Sequence, residues 1–139
     1  MKLAKVHKRK DWRVELSNIH PDAKIGKSII HSHVWIGNDV VIGDGCKIQA
    51  FAYIPPGVFI EDEVFIGPHV CFTNDKCPNL GRKWQIQKTV VRQGAVIGAN
   101  ATILPNLVIG KNSIIGAGAV VTRSVPNNET WAGNPARKI

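Results

Sequence analysis

Residues 30–72 read IHSHVWIGNDVVIGDGCKIQAFAYIPPGVFIEDEVFIGPHVCF, and residues 91–121 read VRQGAVIGANATILPNLVIGKNSIIGAGAVV. In both stretches a large apolar residue returns at every sixth position: Ile30, Ile36, Ile42, Ile48, Ile54, Ile60, Ile66 and Phe72, then Val91, Ile97, Ile103, Ile109, Ile115 and Val121. A helix repeats near 3.6 residues and an ordinary strand near 2, so a beat of six sustained over this length requires a solenoid of stacked coils. The residue after the large one is often glycine, at Gly37, Gly43, Gly67, Gly98, Gly110 and Gly116, where it permits a turn with positive φ. Four residues after the large one come mostly small or β-branched groups, among them Val40, Cys46, Ala52, Val64, Val70, Ala95, Ala101, Ser113 and Ala119. The two positions lie two apart across the repeat boundary, which is the alternation of a short strand with both side chains facing inward. Each six is one strand and one turn.

On those fourteen in-phase positions the chain resembles the hexapeptide-repeat acyl-CoA acyltransferases. The resemblance implies an all-β fold, a single-stranded left-handed parallel β-helix whose triangular coils take three sixes each. The left hand comes from the resemblance alone, because right-handed crossovers are the default for parallel strands. Residues 19–72 and 91–126 total ninety, which predicts about five coils and a prism about 24 Å tall at about 4.8 Å per layer.

The 139 residues form one domain. Residues 1–18 break the beat and are expected to cap the first coil, with Trp12 and Val14 as apolar cover, and residues 19–139 form the β-helix. The step from Ile25 to Ile30 is five, so one corner is a residue short. A larger break separates Phe72 from Val91, where thirteen extra residues form a loop at about 74–90. A long loop thrown out of a rigid scaffold is where function usually sits. Trp84 and Ile86 within it call for a surface to cover, which a neighbouring subunit could supply. Residues 122–139 close the last coil.

Composition narrows the class further. The N-terminus lacks an apolar run long enough for a signal peptide or membrane span, which predicts a cytoplasmic protein with no membrane partner. Three cysteines, with Cys46 in an inward slot, favour reduced thiols over a disulfide framework. The formal charge is +8, and six of the eighteen Lys and Arg residues lie in the first thirteen positions. Nucleic acid is the weakest explanation. A basic segment also blunts the exposed edge of a first coil, and a basic protein attracts a polyanionic small ligand such as coenzyme A or a nucleotide sugar.

Eighteen-residue coils place positions eighteen apart above one another. His33, Phe51 and His69 then form one column, and His31, Gln49 and Gly67 another on the same corner. If the loop leaves the phase intact, Gly98, Ala99 and Asn100 stack above Gly67, Pro68 and His69, with Gly116, Ala117 and Gly118 one coil higher. One edge therefore carries histidines low and bare turns high, and bare turns let backbone amides meet a ligand. In the acyltransferases the pantetheine arm lies along such an edge between two subunits, and the stretch from IGAGAVVT to AGNPARKI contributes to the acyl-CoA site. The resemblance thus implies acetyl-CoA as co-substrate, with main-chain contacts at Ala99 and Ala117 and Arg123, Arg137 and Lys138 as candidates for its phosphates. Relief of crowding at corners, and solvated surface charge, are the plainer explanations.

Residues 64–75, VFIGPHVCFTND, resemble the acetyltransferases acting on the amino group of nucleotide-linked aminosugars, where such a segment followed by a proline borders the sugar pocket. The resemblance makes Asn74 a catalytic or orienting group, and Asn74, Asp75, Trp84 and His33 candidate substrate contacts. Asn or Asp is also ordinary turn material. Relatives that acetylate sugar hydroxyls place a histidine before the corresponding proline as base, and this chain has Cys77 before Pro78. A hydroxyl needs help losing its proton, whereas a neutral amine is already nucleophilic, so an amine acceptor is favoured. His69 is the remaining candidate catalytic base. The resulting expectation is a homotrimeric N-acetyltransferase of nucleotide aminosugars serving cell-surface polysaccharide synthesis, with sites between subunits. Its competitors are a sugar O-acetyltransferase of the same fold and a non-catalytic binding module. A zinc enzyme with a three-histidine site is disfavoured because His31 and His33 are two apart and no histidine follows His69; no metal is expected.

Overall fold

The computed structural model describes residues 2–3, 7–9 and 12–139, with side chains from Arg13 onward. Short parallel strands wind into a three-faced β-helix. The first face holds Asn18–Ile19, Trp35–Ile36, Tyr53–Ile54, Cys71–Phe72, Thr102–Ile103 and Val120–Val121. The second holds Lys24–Ile25, Val41–Ile42, Val58–Ile60, Thr89–Val91 and Val108–Ile109. On the third face, Trp12–Val14, Ile29–Ile30, Lys47–Ile48, Phe65–Ile66, Val96–Ile97, Ile114–Ile115 and Thr130–Ala132 run parallel.

Those seven rungs correct the expected five coils. Trp12–Val14 and Thr130–Ala132 lie outside the strict beat, yet each pairs in parallel with the coil beside it. A ladder of backbone bonds tolerates any side chain, so the apolar beat undercounts the coils. Early coils are also shorter: Arg13 pairs with Ile29, Lys24 with Val41 and Tyr53 with Cys71, steps of sixteen, seventeen and eighteen. Both ends of the third face finish with an antiparallel strand, His7–Arg9 below and Arg137–Lys138 above, and Lys2–Leu3 does the same at the base of the first face. The Trp12 side chain, expected to cover the first coil, lies outside the described residues; Val14 packs half-buried against the core.

The core is the expected alternation. Ile36, Ile54, Ile66, Phe72, Ile97 and Ile103 are fully buried, and so are the small partners Val34, Ala95, Ala101 and Ala119. Ser113 occupies one small slot and donates its hydroxyl to the Gly110 carbonyl at 2.7 Å, so its burial leaves no unpaired polar group.

The glycines after the large residues do not serve as expected. Positive φ falls two residues later, at His33, Phe51, His69, Asn100 and Gly118 on one corner and at Asp39, Glu63, Asn106 and Asn112 on others. Glycine is needed at the earlier position for space, because the coil above descends onto it. A Cβ on Gly67 would lie 2.6 Å from the Ala99 nitrogen, and one on Gly98 2.5 Å from the Ala117 nitrogen.

The loop preserves phase. Cys71 pairs with Thr102 and Phe65 with Val96, thirteen residues more than an eighteen-residue coil. Because Thr89–Val91 is already strand, the excursion ends at Lys88. Truncating Ile97 to alanine is expected to destabilise the fold by about 2–5 kcal/mol, the range for emptying a close-packed aliphatic site. Urea unfolding measures this, and a shift under 1 kcal/mol would mean that the coils are not tightly packed there.

Candidate functional site

Every corner of a β-helix leaves backbone amides that the strand ladders cannot pair, so their partners can be traced corner by corner. Between the second and third faces, side chains from neighbouring coils cap them. The Lys27 amide donates to Asp44 at 2.7 Å, Asp44 to Asp62 at 2.8 Å, Gln93 to Glu61 at 2.9 Å and Lys111 to Asn127 at 2.8 Å. Between the first and second faces, Pro21, Pro56 and Pro105 have no amide to satisfy, and they alternate with Asn38, Asn74 and Arg123, whose amides have no partner among the described residues. The corner between the third and first faces is different. At its base the Ser32 amide is capped by Glu15 at 3.0 Å. Higher up, among the described residues, the Ala99 and Ala117 amides have no partner, although the flanking Asn100 and Gly118 amides bond to the Pro68 and Ala99 carbonyls at 2.9 and 2.8 Å. Two consecutive coils thus present free donors between residues without long side chains, and we call this edge the open corner.

His33, Phe51 and His69 occupy the lower part of the same corner as one stack, with ring centroids 5.1 and 4.9 Å apart. All three are exposed with positive φ, an unusual conformation for bulky residues. Beside them on the first face, Trp35 stacks on Tyr53 at 4.8 Å.

At the other edge of the first face, the loop leaves the coil through Asn74 and Asp75, both nearly buried. Asn74 ties the loop to the scaffold. Its Nδ2 donates to the Pro56 carbonyl at 3.0 Å, its Oδ1 accepts from Trp84 Nε1 at 3.1 Å, and its carbonyl accepts from the Gln87 amide at 2.8 Å. Asp75 organises the loop internally by accepting from the Cys77 amide at 2.9 Å, the Gln85 amide at 3.1 Å and Arg82 Nη2 at 2.5 Å. Burial alone would raise its pKa, but the Gln85 and Cys77 amides and the Arg82 guanidinium together hold it below the usual carboxylate value. Arg82 also donates to the Cys77 carbonyl.

Tyr53, Cys71, Phe72, Thr73, Asn74, Asp75, Pro78 and Trp84 line a concavity of about 220 Å³ between this loop and the first face. Burial pushes the Cys71 thiol up, so it is a poor nucleophile at neutral pH. Trp84 and Ile86 are 54% exposed, and Leu80 is fully exposed.

Asn74, Asp75 and Trp84 come together as one pocket, and His33, His69, Ala99 and Ala117 share one corner. The two groups stand apart within the chain. His69 and Asn74 lie on the two corners that flank the strand Cys71–Phe72, with five residue steps between them that span up to about 16 Å at roughly 3.3 Å each. The basic candidates also divide. Arg137 pairs with Ala132, which lies over Gly116 at the top of the open corner. Arg123 sits on a different corner, over the Trp131 ring at 5.9 Å to its centroid, and Lys138 is paired with Glu129 at 2.9 Å. Sequence reasoning missed Arg82 because the loop has no repeat to place it. Tyr53 was accessible, standing eighteen residues below Cys71.

The bacterial transferase hexapeptide (six repeats) family matches residues 39–74 and 88–123. The chain belongs to this family. Among similar proteins, serine acetyltransferase 2 of Arabidopsis thaliana is 37% identical over 122 residues, covering 88% of this chain and 32% of its own. The serine acetyltransferase of Escherichia coli is 36% identical, covering 88% of this chain and 37% of its own. The chain thus spans about a third of the length of these curated relatives. An N-acyltransferase of Bacillus cereus solved with dTDP and 3-hydroxybutyryl-CoA shares the fold, with a TM-score of 0.83 at 22% identity over 94% of this chain and 79% of its own. A point mutant of the GDP-perosamine N-acetyl transferase of Caulobacter crescentus, solved with CoA and GDP-perosamine, superposes with a TM-score of 0.76 at 24% identity over 88% of this chain and 53% of its own. Among the described residues no helix is long and apolar enough to cross a membrane.

Replacing Arg82 with methionine is expected to free the loop while leaving the coils intact. Chymotryptic cleavage at Leu80 or Trp84 should quicken several-fold with little change in thermal midpoint, and equal resistance to wild type would remove Arg82 as an anchor. Because the folded pKa of Asp75 is depressed, its anchoring is present above the unfolded value of 3.8 and lost as pH falls through the lower folded value.

Proposed function

We propose that the chain transfers an acetyl group from acetyl-CoA to the amino group of a nucleotide-linked aminosugar. The observation that carries this reading is the pair of free amides at Ala99 and Ala117 on consecutive coils of the open corner. The Asn38, Asn74 and Arg123 amides are also unpaired among the described residues, but Pro56 and Pro105 separate them; a run of unpaired donors on consecutive coils suits a ligand with regularly spaced acceptors, and pantetheine carries two amide carbonyls. Arg137, with Arg123 and Lys138 farther out, supplies positive charge for the phosphates.

The loop pocket takes the acceptor, with Trp84 as an apolar wall, Asp75 and Asn74 as polar groups at its base, and His33 as an outlying contact. Since His69 and Asn74 cannot meet on one chain, a complete site joins the open corner of one subunit to the loop of its neighbour. A closed homotrimer has three such sites and covers the exposed Leu80, Trp84 and Ile86.

In the reaction the amine nitrogen attacks the thioester carbonyl, and a corner amide stabilises the resulting oxyanion. Collapse expels the CoA thiolate. The proton lost by the nitrogen passes to His69 and then to the departing sulfur, giving an amide and free CoA. Alignment of two bound substrates contributes several kcal/mol, up to about 7–11 in favourable cases. The loop contains no histidine, and its one carboxylate is held ionised by three donors. This suits an amine, which needs no strong base. Acetyl-CoA use fits a cytoplasmic setting, and an acetylated nucleotide sugar fits cell-surface polysaccharide synthesis.

Identity to serine acetyltransferases supports a second reading, the same transfer to a hydroxyl. Thiol release from acetyl-CoA is measured with nucleotide aminosugars, free sugar alcohols and L-serine in parallel. Release with an aminosugar alone is expected; release with serine or a sugar alcohol alone would overturn the amine reading. Converting His69 to alanine should lower kcat about 100-fold, the low end for loss of a general base, with acetyl-CoA affinity retained. An unchanged kcat would remove His69 from the chemistry.

A further inference from the structure

We infer that Pro68 is a positioning residue that ends the donor ladder of the open corner and so fixes how far down the edge an acyl donor reaches. This rests on the reading that a pantetheine arm lies along that edge. The middle residues of successive coils there are Ser32, Ala50, Pro68, Ala99 and Ala117. Ser32 is capped by Glu15. Among the described residues, Ala50, Ala99 and Ala117 have amides without a partner, and Pro68 between them has no amide at all. Its carbonyl still accepts from the Asn100 amide at 2.9 Å, so the coil stacking is undisturbed. What proline removes at this level is one outward donor.

The spacing makes that removal consequential. Coils repeat at about 4.8 Å. Four bonds separate the two amide carbonyl carbons of pantetheine, roughly 5 Å when extended, and four more bonds lead to sulfur. With Arg137 beside the top coil, an arm running downward pairs its carbonyls with Ala117 and Ala99 and brings sulfur to the level of Pro68 and His69. A third amide at position 68 would permit a second register, with carbonyls on Ala99 and residue 68 and sulfur one coil lower, beside Phe51. Pro68 denies that register. The step to Ala99 crosses a contact so close that only glycine fits at Gly67, which also keeps the edge bare at the same height.

The test uses the full chain, Pro68→Ala, and Pro105→Ala as a control that changes a corner proline away from the open corner. Calorimetry with CoA is expected to show the Pro68→Ala protein binding about twofold tighter, because a second register of equal energy doubles the bound states, with the control unchanged. A crystal structure of each protein with CoA should place sulfur beside Pro68 in wild type and split or displaced by one coil in Pro68→Ala. Wild type binding CoA along the open corner while Pro68→Ala shows the same affinity and sulfur position would overturn this inference and leave the proposed function standing. Wild type failing to bind CoA, or binding it elsewhere, would overturn both. Weaker binding by Pro68→Ala alone would show that the proline serves the corner's shape and not its register.

Discussion

The structure depends on the backbone ladder that joins each coil to the next at a fixed step. Once Trp35, Tyr53 and Cys71 stand directly above one another, every other position inherits a column. Stacked isoleucines fill the interior because each column must present the same bulk at every level. Side chains on the corners are then free to vary, subject to one demand: each corner amide needs a partner, or a reason to be without one.

The three corners answer that demand differently, and the difference is chemical. Carboxylates and an asparagine cap one edge from the adjacent coil, as Asp44 does for Lys27 and Asp62 for Asp44. Prolines remove the donor at alternate levels of the second, so that its unpaired amides at Asn38, Asn74 and Arg123 never fall on consecutive coils. The third keeps free donors at Ala99 and Ala117 with nothing bulky beside them. The lower half of that edge bears bulky residues in the left-handed region at His33, Phe51 and His69, a conformation that costs on the order of 1–3 kcal/mol per residue. Their mutual stacking offsets part of this. A corner bare above and aromatic below is asymmetric along the solenoid axis, which gives a bound chain molecule a direction.

Much of this was legible in the sequence because a solenoid converts residue number into position. The strict beat predicted the fold, and adding eighteen predicted the His33–Phe51–His69 stack and the alignment of Ala99 over Pro68 across the loop. Where regularity ended, prediction failed. The outer coils at Trp12–Val14 and Thr130–Ala132 lack the apolar beat and were missed, since backbone pairing leaves no mark on composition. Positive φ was assigned to the glycines after the large residues. Those glycines answer to the coil above, a long-range steric limit that local turn rules do not contain. Arg82 was invisible for the same reason: its partner Asp75 is seven residues away in a loop without periodicity.

The central claim is that the open corner is the place where an acyl donor is held. Its most direct test is the amide NMR signals of Ala99 and Ala117 during titration with CoA. The account predicts large, saturable shifts at those two amides, with little movement at the capped amides of Lys27, Asp44, Gln93 and Lys111. Saturable binding that leaves Ala99 and Ala117 unmoved would contradict it.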